Sequence, residues 1–185
     1  MSPLTSTTVT RVLVANRGEI ARRVIRGCEA SGLASTAVFT AIDTASPHRH
    51  EASDAVEVPS YLDVDALLEA ARSTGADAVH PGYGFLSENA AFAQAVVDAG
   101  LTWIGPPPSV IELMGRKDRA REVAEKVGVP VTPRYEPDAV PPDAYPVLVK
   151  AAAGGGGKGM HVVRRAEDLP DALATALTST GYASG

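Results

Sequence analysis

The chain has almost no cysteine. Cys28 is the only one in 185 residues, so no intramolecular disulfide can form, and the composition fits a reducing compartment, read here as the cytoplasm. Set in a helical pattern, Cys28 reads as a small buried hydrophobe and not as a nucleophile. Long apolar runs are also missing, and no stretch approaches the length of a membrane span. The first residues, MSPLTSTTVT, are polar and have no apolar centre, which argues against a secretory signal. Residues 1–8 read as a disordered leader. There is no excess of positive charge. A formal net charge of −5 argues against nucleic acid as a partner, although an anionic ligand answers to local lysines more than to the total.

Several familiar chemical signatures are absent. No Ser-His-Asp or Cys-His arrangement can be argued. His48, His50 and His161 lack metal-ligand spacing or partners, and His80 reads as a hydrogen-bonded structural histidine before a base. A P-loop needs G-x-x-x-x-G-K-[ST]. Here Lys158 is followed by Gly159 and Met160, so no hydroxyl is placed to hold magnesium. Arg17, Gly18 and Glu19 stand at a strand-to-helix turn, where a dinucleotide-binding domain would hold a pyrophosphate, but only one glycine is present there. Arg17 and Glu19 read instead as a structural ion pair. There is no internal repeat.

What is present is an apolar content of 45%, enough for a core, and an alternation of strands and helices. That order predicts an α/β fold with a parallel sheet. Strands are expected over Val9–Ala15, Ser35–Thr40, Asp54–Val58, Ala76–His80 and Leu101–Ile104. Helices are expected over Gly18–Ala30, stopped by Gly32, then Val64–Arg72, and Ser87–Ala99 with Ser87 as N-cap. Thr44–Ser53 reads as a polar loop. Beyond three prolines after Gly105 the character changes. Ser109–Met114 and Asp118–Val127 read as helices, Gly128–Pro142 as an extended connection, Pro146–Lys150 and Met160–Val163 as strands, and Glu167–Leu177 as a last helix. The domain boundary is expected near Arg116–Arg121.

The richest segment is KAAAGGGGKGMHVV, Lys150 to Val163. Glycine lets the main chain approach a ligand closely, and a glycine run flanked by lysines is a phosphate cradle of amide N–H groups and ammonium charges. Gly154, Gly156 and Gly159 satisfy G-x-G-x-x-G, yet that fingerprint should open a helix. This run leads into a second strand. Strand, glycine loop, strand describes a flap over a nucleotide; the plainer alternative is a surface hairpin.

Three blocks coincide: VLVANRGEIARRV over Val12–Val24, HPGYGFLSENAAFA over His80–Ala93, and YPVLVKAAAGGGGKGM over Tyr145–Met160. In this order and spacing the chain resembles the biotin carboxylase family, the ATP-grasp component of acetyl-CoA, propionyl-CoA and pyruvate carboxylases and of urea carboxylase. The resemblance covers nearly all of Val9–Val163. It implies a Rossmann-like domain over residues 9–116 and the first, incomplete part of an ATP-grasp domain over 117–185. It implies that ATP phosphorylates bicarbonate to carboxyphosphate, whose carbon dioxide is captured by biotin N1 on a carrier-domain lysine, with magnesium bridging the ATP phosphates. Such phosphoryl transfer depends on positioning and charge neutralisation.

Residue by residue, the resemblance makes Lys150 and Lys117 phosphate contacts, although the family's M-G-D-K block reads MGRK here, with Arg116 in place of the acid. It makes Gly154, Gly155, Gly156, Gly157 and Gly159 the flap glycines. Lys158 stands where the family carries a basic residue, and Met160 near the adenine pocket. His80, Tyr83, Gly84 and Glu88 belong to a loop on the bicarbonate and biotin side. Arg23 and Arg26 become homodimer residues on the first helix. A carrier domain and a carboxyltransferase are the implied partners. The family's magnesium, bicarbonate and biotin residues lie further on, so the isolated chain is expected to be inactive or nearly so. Two other readings stay open. One is a non-enzymatic module that dimerises or docks through its first helix. The other is an ATP-grasp ligase with a different acceptor, against which the HPGYGFLSEN block argues.

Overall fold

The computed structural model describes residues 8–115, 117–150 and 160–178, and for 117, 118, 177 and 178 the backbone alone. The chain divides into two compact units, Met1–Ala120 and Arg121–Gly185. The expected leader, residues 1–8, lies outside the described residues except for Thr8.

The first unit is an open parallel sheet. Its strands are β1 (Arg11–Val14), β2 (Ala34–Phe39), β3 (Asp54–Glu57), β4 (Ala78–His80) and β5 (Thr102–Trp103), and their spatial order is β3-β2-β1-β4-β5. All four pairings are parallel. The order reverses between β1 and β4, the switch point of a doubly wound fold. The helices are α1 (Gly18–Ala30), α2 (Pro47–Glu51), α3 (Val64–Thr74), α4 (Ala90–Asp98) and α5 (Pro108–Gly115). β1 is buried on both faces. Leu13 joins Val38, Val79, Leu67, Phe92 and Val96 on the side of α3 and α4. Val12 and Val14 join Ala21, Ile25, Cys28, Ala37 and Ala78 on the side of α1. Cys28 is thus buried as expected, and burial pushes its thiol pKa up, away from thiolate chemistry.

The local chemistry explains the element ends. The Asp63 side chain accepts from the Ala66 N–H at the start of α3, satisfying one of the orphan donors of a helix N-terminus, and Gly75 closes the helix at φ +67, a conformation glycine adopts without penalty. β1 and β4 begin later than the apolar pattern predicts. The Asp77 carboxylate accepts from the Thr10 and Arg11 N–H groups and from the Thr10 hydroxyl at 2.6 Å, so a side chain takes over where ladder bonds would run.

Two expectations need correction. Ser87 does not cap a helix. α4 starts at Ala90, and it is the Asn89 side chain that accepts from the Phe92 N–H at 3.0 Å; Ser87 donates its N–H to Gly84 within a turn. The polar segment Thr44–Ser53 is not all loop. Pro47 opens α2, where its fixed φ suits the first helical position. Five residues are too short to show a helical period. α2 carries His48, fully buried, whose Nε2 faces the Val38 carbonyl at 3.2 Å, so this histidine has the partner that its sequence setting did not reveal.

In the second unit, β6 (Val147–Lys150) and β7 (Met160–Val163) form an antiparallel hairpin backed by α7 (Leu169–Thr178). α6 (Lys117–Lys126) begins before the division between the units.

Candidate functional site

The hairpin brings the two ends of the glycine run together. Lys150 pairs across from Met160, Val149 from His161, Leu148 from Val162 and Val147 from Val163. Side chains alternate faces along a strand, so Leu148, Lys150, Met160 and Val162 share one face. All four are exposed, Val162 by 63% and Met160 by 47%. The other face carries Val163, which is buried, and lies against α7. The hairpin therefore offers an open apolar surface with one ammonium group at its mouth, a composition suited to a flat heterocycle carrying an anionic tail. Gly154, Gly155, Gly156, Gly157, Lys158 and Gly159 lie outside the described residues. Lys117 is the first residue of α6, and its side chain likewise lies outside them.

A second constellation sits at the switch point, where the turn after β1 meets the loop after β4. Asn16 is fully buried there. Its Nδ2 donates to the Pro81 carbonyl at 2.7 Å and to the Tyr83 carbonyl at 2.9 Å, and its Oδ1 accepts from the Arg17 N–H at 2.9 Å. One amide thus saturates its donors on the crossing loop. Gly82 fits beneath it at φ +66, and a Cβ there would stand 2.6 Å from Ile20 Cγ2 and 2.7 Å from Asn16 Nδ2. The His80 Nδ1 accepts from the Gly82 N–H at 2.9 Å, which needs that nitrogen unprotonated, and burial lowers the His80 pKa in the same sense. His80 is the structural histidine the sequence suggests. The Tyr83 hydroxyl donates to Glu19 in a short hydrogen bond, which holds its pKa up; the rest of the ring is exposed. Gly84 lies at φ +69 and Phe85 at φ +43, and Glu88 is exposed.

At the switch point, where related sheets bind a dinucleotide, Asn16 is tied to the loop after β4. Sequence reasoning singled out Arg17, Gly18 and Glu19 and passed over Asn16. Its only signal was an amide placed immediately after an apolar strand.

Arg17 and Glu19 are not an ion pair, which corrects the expectation. The Arg17 guanidinium binds Asp43 with two nitrogens, Nε at 2.8 Å. Asp43 also accepts from the Tyr61 hydroxyl at 2.7 Å and the Ser46 hydroxyl at 3.1 Å. Hydrogen bonding to Arg17 holds the Asp43 carboxyl well below the usual carboxylate range. Burial, then Asp43, pushes the Tyr61 phenol up to about 12. The Tyr61 ring meets Phe85 at 5.2 Å between centroids, so the chain Arg17–Asp43–Tyr61–Phe85 braces the loop from its far side. Glu19 is left for Tyr83. The two arginines proposed for the first helix also separate. Arg26 faces Glu51 at 3.7 Å, whereas Arg23 lines a cleft beside Tyr83 and His80.

No group of three or more His, Cys, Asp or Glu side chains that could hold a metal ion occurs among the described residues, and no helix among them is long and apolar enough to cross a membrane.

Comparison with known proteins matches residues 8–111 to the family described as biotin carboxylase, N-terminal domain, and residues 138–185 to carbamoyl-phosphate synthase L chain, ATP binding domain. The biotin carboxylase of Halalkalibacterium halodurans is 45% identical over 89% of this chain and 40% of its own length. The biotin-dependent acyl-coenzyme A carboxylase alpha3 subunit of Mycobacterium leprae is 43% identical over 33% of its length. Among solved structures, the Campylobacter jejuni biotin carboxylase in complex with β-γ-ATP superposes with a TM-score of 0.84 at 35% identity, covering 93% of this chain and 42% of that one. The biotin carboxylase domain dimer of Hydrogenobacter thermophilus 2-oxoglutarate carboxylase, with MgADP, ADP and bicarbonate, gives 0.81 at 38% identity, covering 95% and 43%. The chain thus spans well under half the length of these relatives. With more than half of its residues matched by the family's N-terminal domain, and with solved members superposing at TM-scores above 0.8, the chain belongs to the biotin carboxylase family.

Proposed function

We propose that this chain supplies the N-terminal part of a biotin carboxylase, an enzyme that uses ATP and bicarbonate to carboxylate biotin on a carrier domain. The single observation that carries the reading is the hairpin register. It sets Lys150 opposite Met160 at the two ends of the glycine run, so that a closing flap would bring an ammonium group and amide N–H groups onto the phosphates while Leu148, Met160 and Val162 cover the base. Lys117 and Lys158 add charge on the same tail, and Gly154 to Gly157 and Gly159 let the main chain approach it. A closed flap would also keep water from an intermediate prone to hydrolysis.

The loop of His80, Tyr83, Gly84 and Glu88 serves the bicarbonate and biotin side. Its support is the rigidity conferred by Asn16, Gly82 and the Asp43 network, which would hold Tyr83 ready without induced ordering. Magnesium, when bound, neutralises phosphate charge. The described residues do not offer a set of ligands for it, and no role in holding it is assigned to them. Carrier domain and carboxyltransferase are the partners, self-association involves Arg23 and Arg26 on α1, and the setting is the cytoplasm, in keeping with a lone buried thiol.

The test is nucleotide binding by the purified chain, measured by equilibrium dialysis with ATP. Lys150→Ala removes a charge-assisted hydrogen bond worth about 1.5–3 kcal/mol, so affinity should fall roughly ten- to hundredfold. Unchanged affinity refutes the hairpin assignment. Biotin-dependent ATP hydrolysis by the chain alone should stay at background.

A further inference from the structure

Arg17 stands at the switch point with its main chain and its side chain engaged in different places. Its N–H donates to the Asn16 Oδ1, and Asn16 in turn holds the Pro81 and Tyr83 carbonyls. Its guanidinium binds the buried Asp43 and lies 5.9 Å from the centroid of the Tyr61 ring. Tyr61 is buried as well. Its hydroxyl donates to Asp43 and its ring packs on Phe85, two residues beyond Tyr83. The contacts therefore close on themselves: Asn16, Arg17, Asp43, Tyr61, Phe85, Tyr83 and Asn16 again. Arg17 is the one member that joins the Asn16 side of this circuit to the Asp43 side.

Phe85 is the residue that needs such support. At φ +43 it is the only non-glycine residue with a positive φ among the described residues. That conformation is unfavourable for a bulky L-residue, and it persists where the surroundings over-determine it. The Phe85 side chain is exposed, so burial does not hold it there. The Tyr61 ring does, and that ring is fixed by its hydroxyl on Asp43, as Asp43 is fixed by the two nitrogens of Arg17. The resulting turn bonds the Ser87 N–H to the Gly84 carbonyl at 2.9 Å and carries Tyr83 and Glu88, both exposed, on either side of Phe85. Lysine in place of Arg17 would keep the charge and lose the planar fork that grips both carboxylate oxygens.

We infer that Arg17 is a positioning residue for the loop that carries Tyr83 and Glu88: through Asp43 and Tyr61 it holds Phe85 left-handed and so sets where those two side chains stand. The inference rests on reading that loop as the bicarbonate and biotin side. Its test reads the loop in the chain alone and needs neither nucleotide nor turnover, so it fails separately from the carboxylase reading.

The experiment is fluorine NMR and amide hydrogen exchange on the purified chain. It has three phenylalanines, Phe39, Phe85 and Phe92, so fluorophenylalanine labelling gives three signals, and Phe39 and Phe92 belong to the core. In Arg17→Lys the Phe85 signal should shift toward that of free fluorophenylalanine while the other two hold. The Ser87 N–H should exchange about tenfold faster, the factor by which the left-handed penalty of a non-glycine residue favours an opened turn. In a Phe85→Gly background the same substitution should change Ser87 exchange by less than about threefold, because glycine takes this angle without support. An unmoved Phe85 signal or an unchanged Ser87 rate overturns the inference, as does equal acceleration in both backgrounds. Loss of all three native signals together also overturns it, since Arg17 would then serve the folding of the whole unit and not the loop.

Discussion

Gly82→Ala should destabilise the first unit far more than Gly84→Ala, although both glycines lie in one loop at nearly the same backbone angle, φ +66 and +69. An alanine at either position carries the left-handed penalty, about 1 kcal/mol. At Gly84 that is the whole cost, because a Cβ there meets nothing within 4 Å. At Gly82 the new carbon stands 2.6 Å from Ile20 Cγ2 and 2.7 Å from Asn16 Nδ2. Neither neighbour yields cheaply. Ile20 is β-branched and stiff in a helix, and Asn16 is held by three hydrogen bonds. Overpacking of this kind costs about 1–3 kcal/mol. Moving Asn16 off one carbonyl costs about 1 kcal/mol more. The total is roughly 3–5 kcal/mol, or on the order of 10–20 °C in melting temperature for a unit of this size.

Thermal and urea unfolding followed by circular dichroism would measure the difference. Asn16→Ala in the Gly82→Ala background should recover part of the loss, because it removes one partner in the clash, and the cycle should show a coupling of about 1 kcal/mol or more. The reasoning is refuted if the two alanine variants fall within about 0.5 kcal/mol of each other, the ordinary scatter of neutral surface substitutions.

Asp43→Asn should cost about 1.5–3 kcal/mol, the range for hydrogen bonds to a charged partner, with Arg17 returning to solvent; urea midpoints would measure it, and a neutral result would show that Tyr61 and Ser46 alone hold the turn. Because the folded Asp43 carboxyl is held below its unfolded value, its stabilisation is present above the ordinary carboxylate pKa and is lost on further acidification, so the drop in stability below pH ~4 should be shallower in Asp43→Asn. His48 and His80 both have pKa values lowered by burial. Unfolding lets them take up protons, so stability should decline as pH falls below about 6.5, and His48→Gln should flatten that decline without abolishing it. An unchanged slope would remove His48 from the account.

The sequence by itself determined the class of fold, the family and the two strands that flank the glycine run. Apolar runs short enough for buried strands alternate with amphipathic helices, and glycine and lysine chemistry is local, so both can be read from neighbours in the chain. The ends of α1, the turn over His80–Asn89 and the strands flanking the glycine run were legible for that reason. The short α2 was not, since five residues show no period. The cap of α4 is Asn89 and not Ser87 because two successive turns, Ser87 N–H to Gly84 and Asn89 N–H to Leu86, delay the helix start, and the first of them holds Phe85 at positive φ against Tyr61.

What only the tertiary structure decided are partnerships between residues far apart in sequence: Arg17 with Asp43 and not Glu19, Glu19 with Tyr83, and Asn16 across 65 residues to Pro81. A buried polar group must find a partner wherever the sheet order brings one, and in a parallel sheet neighbours in space come from separate crossovers.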